Sequence, residues 1–221
     1  MDNLVFVILP PLLKGAAVTL QVMLQAGLLA FIISVVTGLL REISNPLVRF
    51  PIAFYVEFFR GTSAFVQIYW AYFVLPLLGV KLSAIECGVI VLALNVGAYG
   101  SEVIRGALKA IPRGQREACI ALNLPDWVIF IRILLPQAMI RIIIPFSNLL
   151  IDLLKGTSLL SVITVTELAF AGRQTVSAQG DPLTIFGVVL LIYLILAAPI
   201  AWGAKKLDER VSRKLAVGMV S

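Results

Sequence analysis

Apolar residues run along this chain in long unbroken stretches, separated by short segments that collect proline, glycine and charge. A helix crossing a bilayer needs about 20 mostly apolar residues. Five stretches meet that length: Gly15–Leu40, Pro51–Leu78, Ala84–Leu108, Ile133–Leu154 and Pro182–Gly203. The second is interrupted by Glu57, Arg60 and Gly61, and Pro136 and Pro145 are expected to kink the fourth. A further segment, Gly156 to Asp181, is too broken to span and reads as re-entrant. The pattern predicts an all-α, polytopic membrane protein: one domain over residues 1–221, with a structured loop at about 109–126 and a basic tail at about 204–221.

Composition narrows the chemistry. Hydrophobic residues make up 60% of the 221 and charged residues 14%, with a mean hydropathy of +1.02. A soluble domain carries roughly 45–50% apolar and about 25% charged residues, so this chain holds more apolar surface than one core can hide, and a soluble globular enzyme is excluded. With no histidine, catalytic His dyads, His-ligated zinc and haem are excluded too, and two cysteines cannot hold an Fe–S cluster or a disulfide scaffold. No metal site is expected. No cleavable leader is expected either, because Met1-Asp2-Asn3 is not basic and no small-residue cleavage site follows the first apolar stretch.

The formal charge of +6 fits cytoplasmic loops rather than nucleic acid. If the loop after the first span is cytoplasmic, thirteen Lys and Arg residues fall on that side and three, Lys14, Lys81 and Arg173, on the other. The N-terminus is then outside and the C-terminus inside. Cys87 falls near the outer face and Cys119 in a cytoplasmic loop, so they cannot pair and read as small buried hydrophobes.

The loop between the third and fourth spans, Ile111 to Trp127, predicts a short helix with both ends marked. Pro112 suits its first turn, Asn123 suits a left-handed residue just past its end, Pro125 blocks continuation, and Asp126 suits the cap of the next helix. Gly114, Ala118, Cys119 and Ala121 are small enough for close docking into a partner's groove.

Glu117-Ala118-Cys119, then Asn123, then Ile133-Leu134-Leu135-Pro136 resembles the EAA loop of ABC importer permeases, whose pattern is Glu-Ala-Ala, three residues, Gly, nine residues, Ile-x-Leu-Pro. The spacing matches throughout; Cys119 replaces the second Ala and Asn123 the Gly. Glu57-Phe58-Phe59-Arg60-Gly61-Thr62, Leu154-Lys155-Gly156-Thr157-Ser158-Leu159 and Glu167-Leu168 extend the resemblance to the polar-amino-acid permease branch over almost the whole chain, although an Asp commonly stands in that branch where Gly156 is here. The wording also resembles the ectoine and hydroxyectoine permeases of that branch. The resemblance implies a bacterial inner-membrane importer in which two membrane subunits, the same or homologous, pair around a path. Two ATPases carrying ATP and Mg dock on the EAA helices, and a soluble binding protein delivers a small zwitterion. It implies Glu117 as the anchor of the coupling helix, with Arg113 and Arg116 flanking it and Gly114, Ala118, Cys119 and Asn123 shaping it. No cofactor is expected in this chain itself, which carries no Gly-x-x-x-x-Gly-Lys-Ser/Thr loop to cradle phosphates.

Intramembrane polar residues are the remaining candidates, because charge in the bilayer is costly. Glu57/Arg60, Glu102/Arg105 and Asp152/Lys155 stand at i, i+3, a spacing that lets each pair neutralise itself on one helix face. Asn148, Asp152 and Lys155 form a stripe expected to face the partner subunit or the path, and Asn95 and Tyr99 form a second polar pair. Thr157, Ser158 and Glu167 lie where the chain is irregular, which at membrane depth is tolerated only against protein or a wet cavity. Glu167 and Asp152 are expected to meet a substrate cation, Thr157 and Ser158 its carboxylate, with Glu57 in reserve behind Arg60; Gln25 and Gln67 are weaker candidates. The competing classes are a secondary transporter or channel subunit, against which five spans without an inverted repeat argue, and a membrane enzyme, for which no nucleophile–base set is present.

Overall fold

The computed structural model describes residues 2–42 and 45–218, and all regular structure among them is helical. The order is α1 (Asp2–Leu40), α2 (Pro46–Gly61), α3 (Ala64–Phe73), a 3-10 turn (Leu75–Leu78), α4 (Ala84–Lys109), α5 (Arg113–Ala121), α6 (Asp126–Val128), a π-helical turn (Ile129–Leu134), α7 (Leu135–Gly156), a 3-10 segment (Thr157–Ile163), α8 (Leu168–Gln179) and α9 (Pro182–Gly218). Four stretches are long and apolar enough to cross a membrane: Val7–Leu40, Ala84–Lys109, Asp126–Ile163 and Pro182–Arg213. The basic tail continues α9; its last three positions, 219–221, lie outside the described residues.

Besides the end of α9, which runs to Gly218 rather than Gly203, three boundaries differ from the sequence pattern, each for a physical reason. α1 begins at Asp2 rather than Gly15 and passes through Pro10 and Pro11. Ile8, Leu12 and Ala16 are buried there against Leu168 and Ala171 of α8 and Ile185 and Val189 of α9, and that burial offsets the backbone bonds the prolines cannot make. The second apolar stretch breaks at Thr62, whose backbone is extended (φ −118°, ψ 154°), into α2 and α3. With 16 and 10 residues, these are about 24 and 15 Å long, so neither alone reaches across a core of about 30 Å. The fourth span starts at Asp126 rather than Ile133 and passes through the π turn, where the Leu135 N–H reaches Phe130 O. Pro136, the next residue, has no N–H to continue the ordinary ladder, and the turn widens around that gap.

Helix starts follow local chemistry. Asn45 Oδ1 accepts from the Leu47 N–H at 3.0 Å ahead of α2. Ser83 and Glu86 form a reciprocal capping box at the start of α4. Asp181 Oδ1 accepts from the Thr184 N–H at 3.2 Å before α9, and hydrogen bonding from Thr184 holds the Asp181 carboxyl below the ordinary aspartate range. α8, with 12 residues, is about 18 Å long; it does not span, and Gly180 (φ 74°) turns the chain from it into α9.

The centre of the molecule is the α1–α4 contact. Small residues recur every fourth position on both helices, Ala26, Ala30, Ser34 and Gly38 on α1 and Ala93, Gly97 and Ser101 on α4, so the backbones approach closely. Ser34 Oγ donates to Ala30 O at 2.6 Å and lies 3.3 Å from Gly97 O across the contact. A Cβ on Gly97 would sit 2.7 Å from Ile33 Cγ2, and one on Gly100 would sit 2.1 Å from Ser34 Oγ. Gly97→Leu and Gly100→Val are expected to destabilise the subunit, since overpacking costs about 1–3 kcal/mol. Thermal unfolding of the purified protein, followed by size-exclusion fluorescence, checks this; a wild-type midpoint for both would mean the helices do not approach as described.

Candidate functional site

The break between α2 and α3 leaves backbone carbonyls without helical partners, and three side chains meet them. Gln67 Nε2 donates to Phe59 O at 3.0 Å and to Thr62 Oγ1 at 2.6 Å, with Thr62 O at 3.3 Å. Asn95 Nδ2, from α4, donates to the same Phe59 O at 3.0 Å and to Gln67 Oε1 at 3.1 Å. Tyr99, one turn further along α4, directs its hydroxyl to Arg60 O at 3.4 Å. Asn95 and Tyr99 thus come together as their spacing suggests. Gln67, the weaker candidate by sequence, is the buried hub that joins them.

Next to the break lies a cluster of charges that sequence spacing misassigns. Glu57 and Arg60 do not pair. Glu57 is exposed and has no ion-pair or hydrogen-bond partner among the described residues, whereas Arg60 stacks over the Tyr99 ring, 5.5 Å from its centroid, and lies 3.8 Å from Glu102 Oε1. Glu102 and Arg105 do pair, at 3.0 and 3.2 Å, but Arg41 at the end of α1 also bonds the other oxygen of Glu102. A long arginine side chain can reach a neighbouring helix as easily as the next turn of its own, and here the tertiary partner prevails.

The remaining candidates fall in two further places rather than one pocket. Asp152 and Lys155 pair at 3.5 Å on the exposed surface near the end of α7, with Asn148 exposed one turn before. Ser158 Oγ donates to Lys155 O at 2.7 Å, and Thr157 is fully buried, its hydroxyl donating to Leu154 O at 2.7 Å. Glu167 is 0% exposed. One carboxyl oxygen accepts from the Phe170 N–H and the other from the Ala169 N–H, both at 2.8 Å, and Tyr193 of α9 donates to it at 3.0 Å. Glu167 is therefore the buried N-cap of α8, and it and Thr157 present no surface to a substrate in this conformation. Thr19, which accepts from the Leu168 N–H at 3.1 Å, and Tyr193 complete that junction, and neither stands out in the sequence.

At the other end of the bundle α5 forms as the loop pattern predicts. Asn123 adopts φ 52°, the Leu124 N–H reaches Cys119 O at 3.1 Å and the Asn123 N–H reaches Ile120 O at 2.9 Å. That pair of bonds is a Schellman ending, with Asn where glycine is usual. Two details differ: Pro112 is the N-cap rather than a first-turn residue, and Asp126 lies in the first turn of α6 while Pro125 holds the cap position. Gln137 Nε2 donates to Gln115 Oε1 at 2.6 Å and ties α5 to α7. Cys119 packs inward, whereas Arg113, Gly114, Arg116, Glu117 and Ala118 are exposed. Ile120 on α5 (57%), its cap residue Leu122 (74%) and Trp127 on α6 (62%) are exposed as well. Beside them a cleft of about 810 Å³ is lined by Glu42, Lys109, Arg113, Arg116 and Asp126 over an apolar floor.

Residues 30–213 match the family model described as "Binding-protein-dependent transport system inner membrane component". The chain is 38% identical over 211 residues to the probable amino-acid ABC transporter permease protein y4tF of Sinorhizobium fredii, covering 93% of this chain and 89% of that protein. It is 32% identical over 209 residues to the arginine ABC transporter permease protein ArtM of Haemophilus influenzae (90% and 92%), and 30% identical over 205 residues to the glutamine transport system permease protein GlnP of Escherichia coli (92% and 94%). Among solved structures, an amino acid ABC transporter crystallised with histidines superposes with a TM-score of 0.85 at 25% identity, covering 91% of this chain and 94% of that one. The MetNI methionine ABC transporter, in an inward-facing form, superposes with a TM-score of 0.78 at 22% identity (91% and 96%), a likeness of fold.

Proposed function

This chain belongs to the binding-protein-dependent transport system inner membrane components, and from that membership we propose how its parts divide the work of an ABC importer for polar amino acids. It is the multi-pass inner-membrane subunit through which the substrate moves. ATP hydrolysis belongs to a separate pair of ATPase subunits, and a soluble binding protein delivers the substrate to a pair of membrane subunits. α2 and α3 together make a fifth crossing, the break between them held by Gln67, Asn95 and Tyr99. The N-terminus is outside and the C-terminus inside, as the thirteen-to-three distribution of Lys and Arg favours. The path is lined near that break by Asn95, Tyr99 and Glu57 and, toward the end of α7, by Asn148, Asp152, Lys155 and Ser158.

The observation that carries this reading is α5. A nine-residue helix, closed by a left-handed asparagine, leaves Ile120 and its cap residue Leu122 exposed beside Arg113, Arg116 and Glu117, with Trp127 of α6 exposed just after it. Apolar side chains exposed in a structured loop between two spans have one economical explanation, a protein partner seated on them. That partner is the ATPase, and α5 is the coupling helix.

The test is uptake into liposomes by the full complex, with labelled glutamine, arginine, histidine and ectoine. ATP-dependent uptake of at least one amino acid is expected, and no ATPase activity from this subunit purified alone. Uptake of ectoine with none of the amino acids would turn the substrate reading to compatible solutes. Uptake without any ATPase would overturn the architecture.

A further inference from the structure

The charges around the α2–α3 break do not cancel. Three guanidinium groups, Arg41, Arg60 and Arg105, converge on the single carboxylate of Glu102. Arg41 hydrogen-bonds one oxygen and Arg105 the other. Arg60 stands 3.8 Å off, and its side chain makes no hydrogen bond among the described residues. An arginine carries five N–H donors in a planar fork, and all five are unspent here.

This cluster lies toward the Lys109 end of the spanning helix α4. Tyr99 and Glu102 precede the end of α4 at Lys109 by ten and seven residues, about 15 and 10 Å along the helix. Three cations against one carboxylate leave net positive charge that is expensive against lipid, so the loosely held Arg60 faces water, a partner or a ligand. The Arg60 side chain is 36% exposed, which leaves room for a ligand. Tyr99 lies under the guanidinium, 5.5 Å from ring centroid to Cζ, and is itself exposed. One turn before it on α2, Glu57 offers an exposed, unpartnered carboxylate.

Resting on the reading of this chain as an amino-acid importer subunit, we propose that Arg60 is the residue that receives the substrate's α-carboxylate, with Tyr99 fixing its orientation and Glu57 available to the ammonium. A guanidinium pairs with a carboxylate through two parallel hydrogen bonds, which lysine cannot reproduce and glutamine replaces with one uncharged donor group. Glu102 is shared among Arg41, Arg105 and Arg60, so one carboxylate does not offset all three cations, and Arg60 is the most loosely held of them. The site selects for a free carboxylate next to a cationic centre and is indifferent to the side chain, which the binding protein has already chosen.

The experiment measures equilibrium binding of labelled L-arginine, L-glutamine and L-histidine to the membrane–ATPase complex in nanodiscs, without binding protein. Each is displaced by the unlabelled amino acid or by its carboxamide, and uptake into liposomes is run in parallel. The wild-type complex is expected to bind at least one of the three and to prefer the acid over the amide at least tenfold. Arg60→Gln should weaken binding of the acid tenfold or more and abolish that preference, and Arg60→Lys should fall between. If Arg60→Gln weakens acid and amide equally, or leaves both unchanged while Arg60→Lys does the same, Arg60 does not hold the carboxylate and the importer reading stands. Uptake by a wild-type complex that shows no binding overturns the Arg60 site in the same way. A wild-type complex that neither binds nor takes up any of the three overturns the amino-acid reading and this site with it.

Discussion

Replacing Glu117 by lysine is expected to abolish ATP-driven uptake while leaving the subunit in the membrane at wild-type abundance. Glu117 is exposed on α5, outside every spanning stretch, so charge reversal there removes no buried contact. The helix itself persists, because its ending depends on Asn123 and the Leu124-to-Cys119 and Asn123-to-Ile120 bonds. What changes is the surface on which we propose the ATPase docks: an acid between Arg113 and Arg116 on one side and Ile120 and Leu122 on the other becomes a third cation in a row. Truncating one partner of a desolvated charge pair at an interface costs about 2–5 kcal/mol, enough to release a docked subunit, and reversing the charge adds repulsion. Co-purification of the ATPase and uptake into liposomes check this together. Full uptake with the ATPase still bound would remove Glu117 from coupling. Leu122→Asp probes the apolar half of the same surface and is expected to have the same effect through lost burial.

Much of this architecture is legible in the sequence because the bilayer imposes a local rule. An apolar run of sufficient length is helical whatever its neighbours do, since every backbone group must be satisfied within the segment. That rule finds α4 nearly to the residue and the start of α9, but ends α9 at Gly203 where the helix continues through the basic tail to Gly218. It places the start of α1 too late, because Pro10 and Pro11 read as a stop and only the packing of Ile8 and Leu12 on α8 and α9 carries the helix through them. It merges α2 and α3 into one stretch, because hydropathy averages over the two residues that break them. The α1–α4 contact is written as small residues at every fourth position, yet alanine, serine and glycine leave little trace in a hydropathy profile. α5 is legible to within a residue at its start because both of its ends depend on local residue types, Pro112 and Asn123, rather than on distant contacts.

Polar side chains are legible only as far as their partners are local. Asp152 and Lys155 pair at their sequence spacing. Glu57 and Arg60 have the same spacing and do not, because Tyr99 and Glu102 on another helix compete for the guanidinium. Asn95 declares itself as a polar residue in a span, but its role depends on Phe59 and Gln67, 36 and 28 positions away. Glu167 is the sharpest case. An acid in an irregular segment at membrane depth reads as a ligand for a substrate cation, and the chain ends up using it to close its own backbone.

That use gives Glu167→Ala a large expected effect on stability rather than on substrate affinity. The carboxyl group accepts from two backbone N–H groups at the start of α8 and from the Tyr193 hydroxyl, and it is wholly buried, so no water can replace it. Loss of a helix cap alone costs about 0.5–2 kcal/mol, and each buried donor left unpaired costs about 1–3 kcal/mol. With three donors orphaned and partial relaxation around the cavity, a loss on the order of 4 kcal/mol is expected. α8 then loosens from α1, where Gly15 lies so close that a Cβ there would be 2.8 Å from Ala171 Cβ. Glu167→Gln keeps an oxygen for one backbone N–H and is expected to fall between alanine and wild type. Thermal unfolding of the purified subunit and the half-saturation of uptake separate the two roles. A lowered midpoint with unchanged half-saturation in the surviving protein is the signature of a cap. A wild-type midpoint with weakened half-saturation would return Glu167 to the substrate path, and would require α8 to move away from Tyr193 during transport.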